Sequence, residues 1–457
     1  MNIKTSSKKF RVGILAALLS VALAGCTSAT EEEAAPAAEA PATVTNLTFG
    51  SIGWFAPNIQ KVIDEWNAEN PDIQIKVEPM PDGNGPTVTY LSSKALSGSA
   101  PDIFNNLDVY ADQLADVGFT EDLTSYFGTG AGGVKREDFN QSFLSSYVPL
   151  NFPDQVTGLP IAADATVVFY NKSIFEKAGI PAPVKGWTYE EFMTTCKKIS
   201  AWGAKQDPKI WGLSGGPGGG ATSIWQAQYN PMIKSFDASV YNPETNTSQI
   251  GSENAIKAWT KLVEPWQNGC IPKYSIASGK TPPTYAGGQS AMERSVRALL
   301  PSYLAALKGD VEVVEMPRVN GGKPYVGGGS YGLGIAASSK YKAEAWKFID
   351  WFYSSKASGI NTLQMAYGLV PPNDAGIKSG AWRSLPAPPK NVDAFGNAIA
   401  DSFIAPKLPG QSGTALDDAI LKALQSILLK GVSVADAFKE AEAAVTISIE
   451  KEAAAKK

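Results

Sequence analysis

The sequence predicts an α/β fold shared between about two domains. Short β-rich apolar runs alternate with amphipathic helical stretches, the pattern of sheets flanked by helices. About 410 residues follow a leader and a spacer, more than a single hydrophobic core commonly holds. A content of 44% hydrophobic and 18% charged residues suits a globular body rather than a disordered or membrane-filling chain.

The leader is residues 1–25. Lys4, Lys8, Lys9 and Arg11 precede the uncharged run Val12 to Ala24, whose 13 residues suit an export signal and are too few to span a bilayer. Leu23-Ala24-Gly25-Cys26 resembles the bacterial lipobox, in which the cysteine is acylated and the peptide is cut before it. The mature chain is therefore expected to begin at a lipid-bearing Cys26. Residues 26–45, mostly Ala, Pro, Glu and Thr, bury little and read as a flexible tether.

Along the body, Leu47 to Ile52 is a strand candidate, Asn58 to Asn70 a helix, and Ile73 to Glu78 a second strand by its alternation. A helix around Thr87 to Ser97 leads into the strand at Pro101-Asp102-Ile103-Phe104. Ligands of such sheets gather beyond the carboxyl ends of strands, which draws attention to Gly53-Trp54-Phe55 and Asn105-Asn106-Leu107-Asp108. Thr166 to Tyr170 reads as a strand, and Ser173 to Ala178 as a helix stopped at Gly179-Ile180-Pro181. Thr188 and Glu191 have the capping-box spacing, with Tyr189, Phe192, Met193, Cys196 and Ile199 as one core-facing stripe behind them.

Ile210 to Leu213 is a strand, Gly215 to Gly220 a structural turn and Ala221 to Ile233 a helix. A helix over Asn254 to Trp266 follows. Lys308 to Pro317 alternates like a strand, and Tyr331 to Ala337 is another strand. Ala345, Phe348, Ile349 and Phe352 mark an amphipathic helix. The chain closes with helices over Ala415 to Leu429 and Val434 to about Ile449, the latter opened by Ser433 with Asp436 three residues on.

Histidine is absent, which removes the usual general base, the Ser-His and Cys-His nucleophile pairs and the commonest zinc ligand. The leader holds four bases and no acid, leaving 36 bases against 44 acids, a net charge of −8 on the mature chain. Nucleic acid is not expected as a partner. Cys196 and Cys270 could pair in an oxidising compartment, although Cys196 sits on an apolar helix face where a free thiol serves as a small hydrophobe.

Gly158-Leu159-Pro160 through Ile180-Pro181, followed by Gly186-Trp187-Thr188-Tyr189-Glu190-Glu191-Phe192, resembles the central signature of extracellular solute-binding proteins of the maltose-binding type, which serve ATP-binding-cassette importers. Gly287 to Met292, Gly327 to Phe352 and Gly368-Leu369-Val370-Pro371 are similar to later segments of that family, in the same order. The resemblance implies a two-lobed, periplasmic-binding-protein-like (type II) fold with three crossover strands at a hinge, near Val167 to Asn171, Val313 to Pro317 and Gly368 to Pro371. One lobe would hold residues 46–168 plus 317–367, the other 171–312 plus 371–457.

It also implies a lipid-anchored binder, not an enzyme, that closes on a carbohydrate and delivers it to the membrane permease, as a monomer and without cofactor or metal. Candidate ligand contacts are Trp54, Asn106, Asp108, Asp164, Trp225, Glu293, Arg294 and Tyr331. Aromatic rings cover the C–H face of a sugar while carboxylates, amides and guanidinium groups bond its hydroxyl rim. Each residue also has a plainer role open to it: packing for the aromatics, a helix start for Asp108, an ion pair for Glu293 and Arg294. Other solutes, polyamine or peptide, are alternatives. A glycoside hydrolase, which needs only two carboxylates, is a more distant one.

Overall fold

The computed structural model describes residues 44–53, 55–81, 84–215, 224–273, 282–354, 369–384 and 389–455. The leader, Cys26 and the tether as far as Thr43 lie outside these residues, as do Trp54, the glycine turn from Gly216 and the crossing residue Gly368. No helix among the described residues is long and apolar enough to cross a membrane.

The elements run β1 (Thr45–Ile52), α1 (Ala56–Glu69), β2 (Ile73–Met80), α2 (Asn84–Leu96), β3 (Ile103–Leu107) and α3 (Asp108–Asp116), then α4 (Gln141–Leu144), β4 (Leu159–Pro160), β5 (Asp164–Ala165) and β6 (Val167–Tyr170). Next come α5 (Lys172–Ala178), α6 (Tyr189–Gly203), β7 (Trp211–Leu213), α7 (Gln226–Lys234), β8 (Tyr241–Asn242), β9 (Thr247–Ser248), α8 (Glu253–Gln267), β10 (Ser290–Ser295), α9 (Leu300–Ala306) and β11 (Glu312–Glu315). The remainder is β12 (Val326–Gly329), β13 (Tyr331–Ile335), α10 (Lys342–Tyr353), α11 (Asp374–Ser379), α12 (Asp393–Asp401), β14 (Ser402–Ile404), α13 (Ser412–Lys430) and α14 (Val434–Ala455).

Local chemistry accounts for these elements. In α1 the buried Ile59, Val62, Ile63 and Trp66 recur at helical spacing, and Pro57 opens the first turn where its missing N–H costs nothing. In α6 the capping box forms in full: the Glu191 amide donates to Thr188 Oγ1 at 3.1 Å and the Thr188 amide to Glu191 Oε2 at 2.7 Å. Gly179, at φ +66°, stops α5 in the left-handed conformation that a side chain would resist. The predicted helix over 221–233 is described only from Gln226, because Trp225 is extended and acts as the N-cap. The short helices α3, α4, α9, α11 and α12 have no counterpart in the sequence reading.

A five-stranded sheet runs in the order β2-β1-β3-β13-β4, parallel at β1, β2 and β3 and antiparallel at β13. A four-stranded sheet runs β11-β6-β10-β7. Each carries its own apolar core, one built on Phe49, Ile63, Phe104 and Phe348, the other on Phe169, Phe192, Trp259 and Leu424. The buried thiols Cys196 and Cys270 meet in the second core without a disulfide between them.

The chain changes core at several places, and three of these passages meet at the junction. Ala162 packs in the first core and Ala163 in the second; Leu369 packs in the first and Val370 in the second; and the chain passes from Val326 to Leu333 across Gly327-Gly328-Gly329-Ser330. The Ala163 amide donates to the Val370 carbonyl at 2.9 Å, so two of these passages lie side by side. A three-stranded sheet, β14-β12-β5, spans the junction.

Candidate functional site

At this junction the chain encloses an open cleft with a volume of about 560 Å³, within the range of small-molecule sites. One wall comes from the end of β3, the start of α3 and Tyr331 of β13; the opposite wall comes from Trp225, Gln226 and the first turns of α13. The floor is the junction sheet, where Gly329 of β12 pairs with Asp164 of β5.

Asp108 and Asp164 are brought together here. Asp108 stands in the first turn of α3 and its Oδ2 accepts from the Ser330 amide at 2.9 Å, while its own amide donates back to the Ser330 carbonyl. A Cβ on Gly329 would lie 2.9 Å from that same Oδ2, so a glycine is needed for the floor to approach the acid this closely. Burial pushes the Asp108 carboxyl up to about 6, against the pull of the Ser330 and Val109 amides and of Lys407. Asp164 is only 5% exposed, and its Oδ1 has no hydrogen-bond partner. Burial pushes its carboxyl up to about 7; the Tyr331 hydroxyl and the Arg297 guanidinium favour the charge while Asp108 opposes it.

Trp225 and Tyr331, both partly exposed, line the cleft from opposite walls, and the Tyr331 ring also packs on Phe55 at 5.9 Å between centroids. Four of the eight sequence candidates thus share the cavity: Asp108, Asp164, Trp225 and Tyr331. Trp54 lies outside the described residues.

The other three candidates are directed into the protein. Asn106, in the middle of the first sheet, is fully buried and donates its amide to the Thr157 carbonyl at 3.0 Å. Glu293 and Arg294 lie on β10, an inner strand between β6 and β7. Adjacent strand residues face opposite sides of a sheet, and both sides here are covered, so neither side chain lines the cleft. Glu293 accepts from Ser214 Oγ at 2.8 Å and from the Tyr303 hydroxyl, and Arg294 lies against Tyr325.

Sequence reasoning missed Gln226, Asp417 and Asp418. Asp417 remains largely exposed to cleft water, while the surrounding protein and Asp418 push its carboxyl up to about 6. In the sequence these acids are the polar neighbours of the apolar stripe Leu416, Ile420, Ala423 and Leu424, which reads as an ordinary solvated helix face. Lys407 was missed as well: its Nζ reaches Asp112 Oδ1 on α3 at 2.9 Å and the Val148 carbonyl, linking the segment after β14 to the first core.

Two apolar cores joined by three passages around a ligand-sized cleft define a two-lobed, periplasmic-binding-protein-like α/β protein. Residues 53–358 match the family described as bacterial extracellular solute-binding protein, and the chain belongs to that family. The multiple sugar-binding protein of Streptococcus mutans is 23% identical over 368 residues, covering 76% of this chain and 79% of its own. Among solved structures, the ABC substrate-binding protein Lmo0181 of Listeria monocytogenes in complex with cycloalternan superposes with a TM-score of 0.74 at 19% identity, over 89% of this chain and 99% of that one. Maltose-bound MalE3 of T. maritima gives a TM-score of 0.68 at 18% identity, over 89% and 99%. The family places this chain among extracytoplasmic solute-binding proteins.

Proposed function

We propose that this protein is the lipid-anchored, monomeric substrate-binding component of an ATP-binding-cassette importer, that it captures a carbohydrate between its lobes, and that it performs no chemistry on it. The observation that carries this reading is the cleft itself, where Trp225 and Tyr331 place aromatic side chains on opposite walls and Asp108 and Asp164 place acceptors beside them. A sugar ring presents an apolar face and a hydroxyl rim to such a set. The sugar-binding relative and the sugar-bound structures of the same fold support the ligand class.

Closure would favour the ligand-bound form by the extra contacts made when both walls reach the sugar, and the permease would read that closed arrangement. The core memberships favour drawing the lobes at 46–162 plus 331–369 and 163–330 plus 370–457, with the hinge at the three passages. Trp54 is assigned to the ligand by its place after β1. Cys26 would carry the lipid that keeps the binder near its permease.

The test is a thermal-shift and titration series on the soluble body with oligosaccharides, polyamines and peptides, followed by scattering with the best ligand. A sugar that raises the melting temperature and contracts the molecule, with at least tenfold weaker binding by Trp225→Ala, supports the reading. Stabilisation by another ligand class alone, or release of reducing ends from a bound oligosaccharide, overturns it. Retention of Cys26→Ala in the membrane fraction would overturn the anchor.

A further inference from the structure

The cleft carries more negative charge than the hydroxyls of a neutral sugar require. Asp108, Asp164, Asp417 and Asp418 all line the cavity, and no lysine or arginine does so among the described residues. The nearest bases sit in the walls behind and offset the acids only in part: Arg297, buried between Trp382 and Phe395 and donating to the Trp382 carbonyl, favours the Asp164 charge, and Lys407, held by Asp112 and Val148, favours that of Asp108, yet burial still raises both carboxyls. The hydroxyls of a neutral sugar accept as well as donate, so a site for one needs donors beside its acceptors, and amides supply both without the cost of a buried charge.

Asp164 makes the point sharply. Its carboxylate is almost wholly buried, borders the cavity, and keeps Oδ1 without a hydrogen-bond partner. Asp108 stands close enough to oppose its charge. A protonated amine placed between them would neutralise the pair and donate to the open oxygen. Asp417 and Asp418, on the opposite wall, extend the same negative field across the cleft. The acids surround the cavity without forming a group of three or more placed to hold a metal ion, so an extended organic cation fits them better than a single ion.

We propose that the cleft selects a carbohydrate bearing protonated amino groups, with Asp164 and Asp108 receiving one ammonium at the floor, Asp417 and Asp418 attracting another from the opposite wall, and Trp225 and Tyr331 covering the rings. This rests on the sugar-binding reading and narrows it to amino sugars.

The test is calorimetric titration of the wild-type soluble body at pH 7.5 with three β-1,4 trisaccharides of one shape: the glucosamine trimer, the N-acetylglucosamine trimer and cellotriose, with spermidine as the acyclic cation. The glucosamine trimer is expected to bind at least tenfold tighter than either neutral trimer, with an advantage that shrinks as salt is raised. Asp417→Asn/Asp418→Asn, on the exposed side of the cleft, is expected to reduce that advantage several-fold, with the affinity for the glucosamine trimer falling by a larger factor than that for either neutral trimer; an equal fall for all three overturns the part assigned to these acids. Equal or weaker binding of the glucosamine trimer overturns the inference and leaves the sugar reading standing. Binding of spermidine without any trimer overturns the sugar reading as well. Absence of binding across the set overturns the inference.

Discussion

Replacing Asp164 by Asn should make the empty protein more stable at alkaline pH and a poorer binder at the same time. The carboxyl is raised from its ordinary 3.8 to about 7 because burial disfavours its charge. Between those values the folded protein holds a proton that the unfolded chain has released, so stability falls as pH climbs from about 4 to 7, and the full penalty stands above that window. A shift of about three pH units at about 1.4 kcal/mol each sets an upper limit near 4 kcal/mol. Water entering an open cleft brings this to about 2–4 kcal/mol, or about 2–5 °C in melting temperature for a body of this size. The charged neighbours of Asp164, Asp108 and Arg297, are unchanged in the variant. Asp108, raised to about 6, contributes in the same direction between about pH 4 and 6. The assay is differential scanning calorimetry of ligand-free wild type and Asp164→Asn at pH 5 and 8.5. The variant should melt higher at pH 8.5, differ little at the lower pH, and bind the preferred sugar at least tenfold more weakly. A variant that melts at or below the wild type at pH 8.5 would refute the claim that this carboxylate is held at a cost in stability.

Three further outcomes follow from the geometry. Lys407→Met should lower stability by about 1–2 kcal/mol, because it leaves the Asp112 carboxylate, whose pKa burial already raises, without its cation, and adding Asp112→Asn, which removes that charge, should recover part of the loss; urea unfolding checks this. Gly327→Ala should destabilise by about 1–3 kcal/mol or more, because its Cβ would fall 2.0 Å from the Ala227 carbonyl oxygen and 2.5 Å from the Ala227 Cα and push α7 off the junction sheet. Gly85→Ala, with nothing within 4 Å of the added Cβ, is the neutral control. Cys196 and Cys270 should resist alkylation in the folded protein at pH 8 and both react after denaturation, since they are buried, not joined by a disulfide and, at Cys196, raised in pKa by burial and by the Cys270 thiol; mass spectrometry of the labelled chain reads the count.

The sequence by itself settled whatever depends on neighbours a few residues away. The α6 capping box, the α1 stripe, the glycine stop of α5 and the absence of histidine are all local or compositional, and each has one physical consequence wherever the chain goes. The ordered segments from Gly158 to Pro371 carried the two-lobed fold, because the family's spacing of strands and glycines is itself a linear pattern. Only the tertiary structure decided which polar groups look into the cleft. Asn106 and Asp108 are two residues apart, yet the first is locked inside a sheet while the second turns into the cavity at the start of a helix. Glu293 and Arg294 are site candidates in the sequence because they follow the small-residue segment Gly287 to Met292, but an inner strand covered on both sides holds them among Ser214, Tyr303 and Tyr325. Asp417 reads in sequence as a solvated helix acid and becomes a cleft acid only because α13 is packed across from Asp108, a residue more than three hundred positions earlier. Local periodicity fixes which face of an element is apolar; what its polar face meets depends on long-range packing, and there the field of the binding site is set.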